Sequence, residues 1–141
     1  MAKVNPYLRF NGNCEEAFNF YKSIFGGDFQ YIGRFSEMPP EFAVPESDKN
    51  KIMHVSLPVS EETFLMGEDA SDAFGGKYIA GNNFTVSISA STEDEAKKLF
   101  NGLSAGGKIT MPLDKTFWGA LFGMVADKFG INWMVNCQQE K

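Results

Sequence analysis

Residues 115–136, KTFWGALFGMVADKFGINWMVN, hold both tryptophans of the chain and read as a closing hairpin. Trp118, Leu121, Phe122, Met124 and Val125 supply one arm, and Ile131, Trp133, Met134 and Val135 the other. Asp127 to Gly130 supply the turn chemistry between them. A strand pair this apolar needs an apolar surface to lie on. Each tryptophan also carries one N–H that wants a partner, which suits the wall of a ligand pocket as well as a core.

Working outward, 84–90 alternates as a strand and Ser91-Thr92 precede Glu93, Asp94 and Glu95 as a helix start. Ala96, Leu99, Phe100 and Leu103 then recur at helical spacing, Gly106-Gly107 stop the helix, and 109–113 adds a strand before the hairpin. The first half has the same order. Strand 6–10 is broken by Asn11-Gly12-Asn13, with Asn13 as N-cap of a helix whose stripe is Ala17, Phe18, Tyr21, Ile24 and Phe25, ended by Gly26-Gly27. Strand 29–35, an exposed proline-rich loop 36–50, and strands 52–58 and 63–67 complete it. Displaced by 79 residues, Glu16-Ala17 falls on Glu95-Ala96, Tyr21 on Phe100 and Gly27 on Gly106, so the chain reads as a duplicated β-α-β-β-β unit. Two such units side by side curl into a half-open barrel with a ligand cup between them.

The 141 residues fit one α+β domain made of two modules, about 4–69 and 83–137. Aromatics at 14%, with 14 phenylalanines, favour a pocket, an oligomer interface or a dense core. A net charge of −5 offers no basic stripe for a phosphate backbone, so nucleic acid is not an expected partner. Cys14 and Cys137 show neither zinc nor redox spacing and read as reduced thiols of a cytoplasmic protein. No apolar run approaches the roughly 18 residues of a membrane span, and no secretion signal opens the chain.

Four segments together resemble a known family: NPYLRFNGNCEEAFNFYKSIFGGD (5–28), IMHVSLPV (52–59), FLMGED (64–69) and WGALFGMVADKFGINWMVN (118–136). They are similar to the PhnB-like branch of the vicinal oxygen chelate superfamily, which includes glyoxalase I, bleomycin-resistance proteins and extradiol dioxygenases. The resemblance implies the half-open barrel, a homodimer and a site in the cup. Metal-dependent members place ligands on the first and last strands of each unit, which on this chain fall near Asn5, Leu65, Phe84 (or Asn83) and Val135. Two of these are aliphatic, so neither a metal site nor another cofactor is expected. Proteins of this branch are often labelled ubiquinone-pathway methyltransferases, but no GxGxxG follows a strand here and methyl transfer is not expected.

His54, the sole histidine, is the candidate acid/base group, although a half-buried strand histidine satisfied by a carbonyl fits as well. Alternation sets Ile52, His54 and Ser56 on one face of their strand, and Tyr7 and Arg9 share a face of the first. Tyr7, Arg9, Ser56, Trp118, Phe122 and Trp133 are the candidate ligand contacts. Arg9 reads either as an anion clamp or as a solvated outer charge, and Arg34 likewise. Asp127 and Lys128 read as turn and solvent residues. Three functions remain open. The first is a metal-free binder of a small amphipathic or aromatic molecule. The second is a metal-dependent lyase, isomerase or dioxygenase with ligands such as His54 and Glu68 or Asp69. The third is a metal-free acid/base enzyme using His54.

Overall fold

The structure, a computed structural model, describes residues 2–42 and 44–138. Ala43, inside the predicted loop, lies outside the described residues. The chain divides into two compact units, Met1–Ile79 and Ala80–Lys141.

In the first unit, strands β1 (Tyr7–Phe10), β2 (Tyr31–Arg34), β3 (Ile52–Pro58) and β4 (Phe64–Asp69) form a sheet in the order β1-β4-β3-β2. The β1 and β4 strands run parallel and the other pairs antiparallel. Helix α1 (Cys14–Phe25) covers one face, burying Ala17, Phe18, Tyr21 and Ile24 against Leu8, Phe10, Val55, Leu57 and Leu65. Each such large side chain removed from water contributes roughly 1.5–3 kcal/mol. Gly67 lets the helix come close, because a Cβ there would stand 2.7 Å from Phe18 Cε1 and 2.9 Å from the Leu8 carbonyl oxygen.

Asn13 precedes α1 as predicted, but its side chain makes no cap. Asp69, from the end of β4, does this work. Its Oδ1 accepts from the Gly12 and Cys14 amides, both at 2.9 Å, and its Oδ2 accepts from the Ile52 amide at 2.9 Å. One carboxylate therefore joins the helix start to two strands. The predicted exposed loop is also partly inside. It contains short 3-10 turns at Phe35–Glu37 and Glu46–Asp48, and the buried Asp48 carboxylate accepts from Ser71 Oγ at 2.8 Å and pairs with Lys51 at 2.8 Å.

The second unit repeats the plan. Strands β5 (Val86–Ser89), β6 (Lys108–Lys115), β7 (Ala120–Ala126) and β8 (Asn132–Gln138) order as β5-β8-β7-β6, with β5 and β8 parallel. Helix α2 (Glu93–Ser104) buries Ala96, Leu99, Phe100 and Leu103, and Thr92 caps it by accepting from the Glu95 amide at 3.1 Å. Gly123 is the close-approach residue here, its added Cβ falling 2.5 Å from Phe100 Cε1.

The registers of the two sheets correspond. Tyr7 pairs with Met66 as Ser87 pairs with Met134, and Arg9 pairs with Glu68 as Ser89 pairs with Asn136. Ser56 pairs with Met66 as Met124 pairs with Met134. The helices start 79 positions apart, at Cys14 and Glu93, whereas β4 and β8 start 68 apart, at Phe64 and Asn132. The difference lies mainly in the longer β2–β3 connection of the first unit.

The closing hairpin is β7–β8, which starts later than expected, at Ala120, and runs on to Gln138. Trp118 lies in the turn before it, not in an arm. No helix among the described residues is long and apolar enough to cross a membrane.

Candidate functional site

The first sheet has a face turned away from α1, and it gathers most of the polar residues singled out in the sequence. Because Leu8, Val55 and Gly67 point at the helix, Tyr7, Arg9, His54, Ser56, Met66 and Glu68 point the other way. Ile52 does not join them. The β2–β3 register shifts between Gly33 and Arg34, which resets the alternation and leaves Ile52 in the core.

Tyr7 is the centre of this face. Its hydroxyl lies 3.1 Å from His54 Nδ1 and donates to Glu68 Oε1 at 3.2 Å. The Tyr7 ring is centred 5.5 Å from the imidazole, and Tyr31, across the strand pair, is centred 5.8 Å from it. Gly33 makes this possible, since a Cβ there would collide with the Tyr31 phenol. Both tyrosines are 45% exposed, so the imidazole sits between two half-exposed aromatic rings.

Arg9 shares the face but is not a free anion clamp. Its Nε donates to Glu68 Oε2 at 3.2 Å, and its terminal nitrogens donate to the carbonyls of Phe74 (3.1 Å), Gly76 (2.6 Å) and Lys77 (3.3 Å). The guanidinium pins the segment after β4, where Gly75 and Gly76 take positive φ. Arg34 is likewise engaged, with Glu15 at 2.8 Å and the Asn50 carbonyl at 2.8 Å. Ser56 is buried, and its hydroxyl donates to Gln30 Oε1 at 3.3 Å.

In the second unit the face away from α2 carries Ser87, Ser89, Phe122, Met124, Met134 and Asn136, with Met111 opposite Met124. By register Phe122 and Met124 stand where the first face has His54 and Ser56, and no charged residue stands where it has Arg9 and Glu68. Trp118, 51% exposed, packs edge-to-face on Phe122 at 5.8 Å and against Phe117 at 4.9 Å. Trp133 must be withdrawn as a wall. It faces the helix side, 1% exposed, and its indole N–H donates to Asp127 Oδ2 at 2.8 Å. Asp127 is correspondingly buried, its Oδ1 also accepting from the Phe129 and Ile131 amides, so it serves the turn and the core but not solvent.

The positions expected to carry metal ligands need the same correction. Leu65 and Val135 point at the helices, and the residues beside them on the helix-free faces are Met66 and Glu68 in one unit, Met134 and Asn136 in the other. Glu68 is the one carboxylate among these, and both its oxygens are already held, by Tyr7 and Arg9. Among the described residues no group of three or more His, Cys, Asp or Glu stands together as a metal-binding set. This donor set does not fit a divalent ion, which needs three or four converging N, O or S donors.

Burial, and after it the neighbouring Asp69, pushes the Cys14 thiol well above its ordinary 9.0; burial, and after it Glu68, pushes the Tyr7 phenol above 10.0. Both groups hold their protons more tightly folded than unfolded. Their contribution to stability is therefore complete below about pH 9 and lost as pH rises through the raised folded values. Denaturant midpoints should fall with pH above 9, and Cys14→Ala should flatten the earlier part of that slope. A wild-type midpoint unchanged up to pH 11 would contradict this.

Two β-α-β-β-β units, each a mixed four-stranded sheet with one helix, define an α+β protein of the vicinal oxygen chelate type. The chain matches the family model described as 3-demethylubiquinone-9 3-methyltransferase over residues 2–136. It is 32% identical to Protein YjdN of Escherichia coli (strain K12), with 98% of this chain and 97% of that protein covered. Among solved structures it is similar to protein PA1353 from Pseudomonas aeruginosa, with 40% identity, 99% and 100% of the two chains covered and a TM-score of 0.86. A putative 3-demethylubiquinone-9 3-methyltransferase, PhnB protein, from Bacillus cereus gives 26% identity, 96% and 99% coverage and a TM-score of 0.74. A glyoxalase-related enzyme from Fulvimarina pelagi, 18% identical with 98% and 89% coverage and a TM-score of 0.64, shares the fold. The chain belongs to the PhnB-like family of the vicinal oxygen chelate superfamily, the family whose model carries that methyltransferase description.

Proposed function

We propose that this chain binds a small amphipathic or aromatic molecule without a metal, using the helix-free face of the first unit for its polar end. The observation that carries this reading is the His54 imidazole set between the half-exposed rings of Tyr7 and Tyr31. Flat aromatic surface beside a polar acceptor suits a planar, partly polar ligand. The engagement of both Glu68 oxygens supports a metal-free site.

The methyl transfer in the family description needs a methyl donor such as S-adenosylmethionine. The sheets here each have a single parallel pair, unlike the doubly wound parallel sheet on which nucleotide cofactors bind. This supports a binder in preference to a methyltransferase.

Protein purified without chelator should contain no stoichiometric divalent metal, and 2-naphthol should shift the resonances of Tyr7, Tyr31 and His54 with or without EDTA. His54→Ala should weaken binding by about five- to tenfold, the span of one lost hydrogen bond plus ring contact. Stoichiometric metal, or binding of S-adenosylmethionine but not of 2-naphthol, would overturn the proposal.

A further inference from the structure

We infer that Glu68, Tyr7 and His54 form a relay that holds the imidazole as its Nδ1–H tautomer and presents Nε2 as a proton acceptor, selecting ligands with an O–H or N–H donor. The ligand part rests on the first unit's helix-free face being the binding surface. The relay itself rests on geometry alone.

The Tyr7 hydroxyl has one proton and two polar neighbours, His54 Nδ1 at 3.1 Å and Glu68 Oε1 at 3.2 Å. An ionised carboxylate only accepts, whereas an imidazole nitrogen donates or accepts according to tautomer. Placing the proton towards His54 would leave the phenol and carboxylate oxygens facing each other with nothing between them. Placing it towards Glu68 leaves a phenol lone pair for an Nδ1–H, and both contacts become attractive. Arg9 holds the second Glu68 oxygen at 3.2 Å and so fixes the acceptor end of the chain. Burial and Glu68 together keep the phenol protonated, so Tyr7 stays a donor across the working pH range.

The hydrogen bond at one imidazole nitrogen decides what the other can do. With Nδ1 donating to Tyr7, Nε2 is left with its lone pair, and it makes no hydrogen bond among the described residues. The cation on the same face is largely committed, because four of the five Arg9 N–H donors go to Glu68 and three carbonyls. What this face presents is therefore an acceptor flanked by two aromatic rings. Should Nε2 take a proton, both ring nitrogens would be donors and the Nδ1–H contact to Tyr7 would remain. Tyr7 and Glu68 are then positioning residues and His54 the group that meets the ligand.

The chain has one histidine, so 15N-histidine labelling reports on His54 alone. In its neutral form the imidazole of the full chain should show a proton on Nδ1 and a bare Nε2. Tyr7→Phe should restore the Nε2–H form that an unconstrained side chain favours, and Glu68→Gln, which replaces an acceptor by an amide, should weaken the Nδ1–H preference. An Nε2–H tautomer in the wild type, or no change in Tyr7→Phe, would overturn the relay. Calorimetric titration with 2-naphthol and with 2-methoxynaphthalene isolates the donor. The naphthol should bind about fivefold more tightly, and His54→Ala should erase the difference. Equal affinities in the wild type would overturn the ligand class. Failure of both probes to bind beside an intact Nδ1–H signal would instead sink the binding-surface proposal and leave the relay standing.

Discussion

Asp69→Ala should lower the unfolding free energy by about 4 kcal/mol. The carboxylate is 2% exposed and accepts from the amides of Gly12, Cys14 and Ile52, each at 2.9 Å. Truncation leaves three N–H groups without their acceptor, and each unsatisfied buried donor costs about 1–3 kcal/mol. Part of the loss is offset because a desolvated charge disappears with it. Asp69→Asn keeps the shape and retains one oxygen but turns the other acceptor into a donor, so it should cost about half as much. Urea unfolding of the two variants tests this, and a loss below about 1 kcal/mol for the alanine variant would show that Asp69 does not anchor the helix.

Gly67→Val sets propensity against packing. Valine is among the best strand formers, and on propensity alone the change should stabilise β4 by up to about 1 kcal/mol. The structure predicts the reverse. A Cβ at position 67 stands 2.7 Å from Phe18 Cε1 and 2.9 Å from the Leu8 carbonyl oxygen, and Phe18 is fully buried with Phe10 and Tyr21 edge-on against it at 6.0 and 5.4 Å. Neither the backbone oxygen nor the packed ring has room to withdraw, so overpacking should prevail by about 3 kcal/mol. A thermal melt distinguishes the outcomes, since a raised Tm would mean that α1 does not lie on Gly67.

The two helices, the repeated element order and most strands were legible because each rests on local signals: periodic apolar residues, glycine stops and acidic first turns. Family membership was legible because the quoted segments are distributed from residue 5 to residue 136. Side-chain direction was harder. The shared face of Tyr7, Arg9, His54 and Ser56 follows from alternation, yet Ile52 was misplaced because a bulge resets the count and leaves no sequence mark. The resemblance sets ligand positions near Leu65 and Val135, but one step along each strand gives Met66 and Met134 on the helix-free faces, a slip that a period-two pattern always invites.

The roles of single polar residues depended on partners far along the chain. Asn13 has the right residue type for a cap, but Asp69, 55 residues beyond Cys14, fills that role, and only the parallel β1–β4 pairing brings it there. Arg9, which by residue type reads either as an anion clamp or as a solvated outer charge, holds the chain around Gly76. Trp133 and Trp118 are alike in sequence and opposite in use, one bonded to Asp127 inside the core and one exposed beside Phe117. An acidic residue closing a strand was the one available hint of Asp69.

The matched registers of the two sheets also give the halves different environmental chemistry. His54, Tyr7 and Glu68 lie on the first face, and their counterparts by register include Ser87, Phe122 and Asn136. Peroxide has its main targets on the second, where Met111, Met124 and Met134 carry thioethers that become polar sulfoxides. Oxidation would thus fall more heavily on the helix-free face of the second repeat than on that of the first, where Met66 is the thioether facing Tyr7.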